Sequence, residues 1–99
     1  MRRVIVRYTV KPGRAGENEQ LAKAVYEELA EVKPAGFRYA TFRLPDGLTF
    51  VHLASITQAE EENPLRSVKA FRKFQENIGE RCDVPPQVAE LTEVGSYGF

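Results

Sequence analysis

The sequence predicts an α+β domain in which strands and helices follow the order β-α-β-β-α-β, giving a four-stranded antiparallel sheet with two helices on one face. Three observations carry this. Apolar residues recur at every second position in four segments and at every third or fourth in two others. Gly and Pro fall between those segments, where turns belong. The chain has 99 residues, 42% of them apolar, which is material for one core and not for two. Residues 1–99 are therefore read as a single domain.

The first strand spans 3–10, a run of β-branched and aromatic residues with Val4, Val6, Tyr8 and Val10 on one face. Lys11-Pro12-Gly13 ends it. A helix follows over 16–32, with Leu21, Val25, Leu29 and Val32 as its apolar stripe and Ala22 beside them. Glu17 and Glu19 are assigned to its first turn, which favours anions, and Pro34 and Gly36 stop it. Residues 37–44 and 48–56 form a hairpin around Asp46-Gly47. That turn sets Thr41 opposite His52, Tyr39 opposite Ala54, Phe42 opposite Val51 and Ala40 opposite Leu53. A polar, acidic connection over 57–63 leads to a second helix that ends near Ile78, with Gly79 as its stop. Its cap is either Asn63, with Pro64 at the first helical position, or Ser67 after one irregular turn. Leu65, Val68, Phe71, Phe74 and Ile78 make its apolar side. Residues 80–87 read as a loop, 88–94 as the last strand and 95–99 as a tail. The order is the ferredoxin-like pattern, which implies strand order 4-1-3-2.

Two helices cover one face of such a sheet, so the other should be polar. Here it still carries Ile5, Ala40, Phe42, Val51, Leu53 and Leu91. An apolar patch of this kind points to a homodimer packed sheet on sheet; the plainer alternative is scattered surface hydrophobics.

Three segments carry a family resemblance: Arg7-Tyr8-Thr9-Val10-Lys11-Pro12-Gly13, Thr49-Phe50-Val51-His52-Leu53-Ala54-Ser55 and Phe71-Arg72-Lys73-Phe74-Gln75. Together they resemble the dimeric α/β-barrel superfamily, near the antibiotic biosynthesis monooxygenase-like proteins. The resemblance implies two sheets facing each other across a dimer, with a small-molecule pocket between sheet and helices in each subunit. It does not bring an active site with it. Haem-degrading members use an Asn on the first strand, a Trp ending the third and a His on the second helix. The first two positions hold Val6 and Ile56 here, the second helix has no His and the chain has no Trp.

His52 is the candidate catalytic residue. It is the only His, and it shares a strand face with Phe50 and Ala54, where a plain core would take Val or Ile. Neutral imidazole serves as base or hydrogen-bond donor near pH 7. The competing reading is a buried His satisfied by Thr41 or Tyr39 across the strand pair. Tyr8, Tyr39, Phe71 and Phe74 are the candidate substrate-binding residues; each is otherwise a core aromatic. Cys82, between Arg81 and Asp83, is either a thiol activated by Arg81 or an inert one. Arg7 is expected to pair with Glu90, Glu93 or a dimer mate.

Other classes fall away. One His and one Cys, far apart, give no metal site, and no phosphate or dinucleotide loop is present, so no cofactor is expected. Fourteen basic and fourteen acidic residues leave a formal charge of zero, which disfavours nucleic acid and acidic membranes as partners. An RNA-binding sheet would offer Ile5, Arg7, Val51 and Leu53, with no aromatic to stack a base. No apolar run reaches 18 residues, and a lone Cys without a leader-like segment fits the cytoplasm. What remains is a small-molecule-binding protein, in one form a cofactor-independent monooxygenase acting on an aromatic or polyketide-like metabolite, in the other a non-catalytic ligand-binding or regulatory module.

Overall fold

The computed structural model describes residues 2–57 and 63–98. Most of the acidic connection and Phe99 lie outside them. The elements are β1 (Arg2–Val10), α1 (Ala15–Val32), β2 (Phe37–Arg43), β3 (Thr49–Ile56), a 3-10 turn (Pro64–Ser67), α2 (Lys69–Gln75), α3 (Ile78–Arg81) and β4 (Cys82–Leu91). One antiparallel sheet runs in the order β2-β3-β1-β4, the ferredoxin-like arrangement.

The hairpin register is the one its turn chemistry sets, with Thr41 opposite His52 and Ala40 opposite Leu53. Gly47 takes φ +73°, a conformation that glycine adopts freely. The Asp46 carboxylate accepts from the Leu48 and Thr49 amides and the Thr49 hydroxyl, closing the loop. With this register fixed, Tyr8, Val10, Phe50 and His52 face the helices. Tyr8, Val10 and Phe50 pack with Ala22, Val25, Leu65, Val68 and Phe74 into the core.

α1 holds its stripe only as far as Leu29. Val32, the last residue of the helix, is 57% exposed. Glu19 lies beyond the first turn and pairs with Lys23 and Arg43.

The second helical region differs most from expectation. It is three pieces, not one helix. Asn63 caps the 3-10 turn by accepting from the Leu65 amide, with Pro64 behind it. Ser67 is no cap; its hydroxyl donates to the Pro64 carbonyl. Val68 is extended, and α2 has no side-chain cap of its own. Instead the Glu28 carboxylate reaches across from α1 and accepts from the Lys69 and Ala70 amides. α2 ends at Gln75, before Asn77 turns left-handed at φ 59°; Gly79 falls inside α3 and stops nothing.

The last strand begins at Cys82, not 88, and ends at Leu91, not 94. Of residues 80–87, which read as a loop from the sequence, 82–87 belong to β4, Pro85-Pro86 included. β4 is an edge strand, and the register slips between Arg7 and Val10, so a bulge takes up the two prolines. Cys82 is buried at its start, and burial pushes the thiol pKa up, so Arg81 does not activate it. The carboxylates expected for Arg7 go elsewhere: Glu90 pairs with Arg2 and Glu93 with Arg3, each nearer along the strand pair.

Candidate functional site

Between the inner face of the sheet and the α2 layer lies a cavity of about 660 Å³. Val4, Val6 and Val88 form part of its sheet side. Leu65 and Phe71 come from the helical side. Tyr8, Tyr39, His52 and Phe74 line it as well, so the cavity brings together all five residues singled out from the sequence. Arg2, Arg66 and Arg72 line its exposed side.

The alternation of β3 turns His52 inward, and β1 and β2 flank it with Tyr8 and Tyr39. The imidazole is 4% exposed. Tyr8, Phe74 and Tyr39 surround it, with ring centroids 5.3, 5.4 and 5.7 Å away. Phe71 stacks on Phe74 from the cavity side of α2.

Both ring nitrogens are engaged. Nε2 lies 2.7 Å from the Tyr8 hydroxyl. Nδ1 lies 2.6 Å from the Tyr39 hydroxyl and 3.0 Å from Thr41 Oγ1. The ring is held by Tyr8, Tyr39 and Thr41, two of them the partners that a satisfied histidine was expected to find, and it also adjoins the cavity.

The hydrogen bonds extend past these residues. Tyr8 accepts from Asn18 Nδ2 at 2.8 Å. Arg81 Nε donates to Asn18 Oδ1, and its other nitrogens donate to the Phe74 and Glu76 carbonyls. At the far end Thr41 shares a hydrogen bond with Tyr26 at 2.6 Å. Among the described residues no buried side-chain polar atom lacks a partner. Asn18 and Arg81 are 0% and 1% exposed. Sequence reasoning missed both, and Tyr26 with them. Asn18 had a signal, because it stands one turn before Ala22 on the stripe that α1 buries. Arg81 had none while residues 80–87 read as a loop.

Burial governs the protonation states. It lowers the His52 pKa from 6.5 to about 4, so the imidazole is neutral at pH 7. It holds the Tyr8 and Tyr39 phenols well above their ordinary range. Around His52 the site thus presents neutral hydrogen-bonding groups set among aromatic rings, with Arg2, Arg66 and Arg72 on its exposed side. Among the described residues no group of three or more His, Cys, Asp or Glu is placed to hold a metal ion.

No protein-family model and no curated protein matches the sequence. Solved structures do match the fold. One, from Nitrosomonas europaea and provisionally named an antibiotic biosynthesis monooxygenase, superposes with a TM-score of 0.79 at 12% identity, covering 96% of this chain and all of its own. Another of the same provisional name, from Caulobacter crescentus, gives 0.69 at 17% identity over 95% and 90% of the two chains. The fold is that of the antibiotic biosynthesis monooxygenases. A Mycobacterium tuberculosis protein matches at TM-score 0.67 and 21% identity over 96% of both chains. Identities this low speak for architecture, and function rests on the site itself.

Proposed function

We propose that this protein binds a small aromatic or polyketide-like metabolite in the cavity between sheet and α2. The observation that carries this is one apolar-walled cavity that reaches the only histidine and two tyrosine hydroxyls. Sites of this make-up, mostly apolar with a few convergent polar groups, suit ligands of that kind. Phe71 and Phe74 flank the ring system of the ligand, and Tyr39 meets its oxygen function. Ligand-observed NMR with a library of bicyclic aromatics tests this. Binding that is lost in Tyr39→Phe or His52→Ala supports it, and a library that is silent throughout overturns it.

The names of the structural neighbours favour a second step, cofactor-independent oxygenation. A phenolic ligand and dioxygen would yield a quinone and water, the ligand supplying the electrons once it is deprotonated. His52 is the base in that scheme, reached through the Tyr8 hydroxyl, which passes its proton to Nε2 and takes up the ligand's, and Tyr39 orients the substrate. A ligand anion beside the imidazole raises its proton affinity from the low value that burial sets. Oxygen uptake with an electron-rich naphthol tests it; uptake that is equal in His52→Ala would leave a binding module only.

The outer face of the sheet is proposed as a homodimer interface. Phe42 is 52% exposed there, and Ile5, Leu53 and Leu91 lie on the same face of the sheet. Among the described residues no helix is long and apolar enough to cross a membrane, and a lone buried thiol suits a reducing compartment such as the cytoplasm.

A further inference from the structure

The hydrogen bonds around His52 form one chain, and a chain of this kind has a direction. Arg81 is a donor only, so the atom of Asn18 that faces its Nε is the amide oxygen. The Asn18 nitrogen then faces Tyr8 and donates to it. With Asn18 donating, the partner left for the Tyr8 proton is His52 Nε2. Nε2 therefore accepts, and a neutral imidazole carries its proton on Nδ1. Nδ1 points at the Tyr39 and Thr41 oxygens, so it takes no proton from Tyr39. Thr41 already shares hydrogen bonds with Tyr26 and Nδ1. Tyr39 is among the residues that line the cavity, and its hydroxyl, which also meets Thr41, keeps its proton for an acceptor other than His52.

We infer that Asn18, oriented by Arg81, sets the direction of this chain, so that the cavity presents a hydrogen-bond donor at Tyr39 and selects ligands with an oxygen acceptor there, a carbonyl or a phenolate. Asn18 and Arg81 are positioning residues: neither lines the cavity. The direction of the chain stands by itself, whereas the ligand class rests on the cavity being the binding site, as proposed above.

The test uses the single histidine, whose ring nitrogens give one unambiguous set of 15N signals. The expected wild-type state at neutral pH is the Nδ1–H tautomer. Asn18→Asp replaces the amide with a group that only accepts. Tyr8 must then donate to residue 18 and accept from Nε2, so the tautomer switches to Nε2–H and Nδ1 accepts from Tyr39. A variant in which Asn18 merely filled space would leave the tautomer as it was. A wild-type Nε2–H tautomer overturns the inference, as does a folded Asn18→Asp that keeps Nδ1–H. The wild-type spectrum decides the matter should the charged variant fail to fold.

Two probes of similar shape read the ligand class: chromone, which only accepts, and indole, whose N–H donates. Wild type is expected to bind chromone about ten-fold more tightly, the size of one hydrogen bond, and Asn18→Asp to lose that preference. Equal binding of both probes to wild type overturns the ligand class. If neither binds while the tautomers behave as expected, the cavity reading fails and the direction of the chain is upheld.

Discussion

The two faces of the sheet are built against expectation in opposite ways. The inner face, where a small α+β domain puts its core, holds Tyr8, Tyr39, Thr41 and His52 in a continuous line of hydrogen bonds. The outer face, which helices leave to solvent, presents Phe42, Leu53 and Leu91. Polar groups that are buried must all be satisfied, and apolar groups that are exposed gain by being covered. The inner face meets its demand within the subunit, next to a cavity. Among the described residues, the outer face leaves Phe42, Leu53 and Leu91 exposed. A second subunit on one side and a ligand on the other would resolve both departures.

The largest effect is expected on the outer face. Leu53→Asp places a charge at the middle of the proposed interface and should convert a micromolar dimer to a monomer or an aggregate by light scattering. A monomeric wild type would break the comparison at once. On the inner face, Phe74→Ala removes a buried ring that touches both the core and the cavity, and should cost about 3–5 kcal/mol in chemical denaturation.

The third effect is on pH dependence. The folded His52 pKa lies near 4, and the unfolded value is 6.5. Above pH 6.5 both states hold a neutral ring and the group is silent. As pH falls below 6.5 the unfolded chain takes up the proton first, so stability is lost towards pH 4, by up to about 3 kcal/mol. The carboxylates of Glu17, Glu28 and Asp46 add a loss of the same sign at lower pH, since all three are held below their ordinary values. Denaturation at pH 6.5 and 5 therefore isolates His52, and His52→Asn should flatten that interval. His52→Ala at pH 7 should cost about 1–3 kcal/mol, because the Tyr8 hydroxyl loses its acceptor.

Much of this contrast was legible in the sequence. Asp46-Gly47 fixed the hairpin register, and the two-residue period then assigned each side chain of β1, β2 and β3 to a face. The placing of His52 beside Tyr39 follows from that register, whereas its meeting with Tyr8 depends on the separate pairing of β1 with β3. What stayed hidden depended on partners distant in sequence. Asn18 donates to Tyr8 ten residues away, and Arg81 meets Asn18 across 63. The capping of α2 by Glu28 spans 41 residues, and no local rule for helix starts anticipates a cap from another helix. The start of β4 was missed because Pro85-Pro86 reads as loop until the strand is known to lie at an edge.

That proline pair also bears on how copies of the chain can meet. The free side of β4 is an open row of backbone groups, the kind of border along which sheets extend into neighbouring molecules. Two successive residues without amide protons, set at a bulge, interrupt that row near its middle. Ladder growth along this border is thereby discouraged, which fits the homodimer proposed for the broad surface of the sheet. A two-fold contact between like surfaces closes on itself, whereas a head-to-tail contact between unlike surfaces need not.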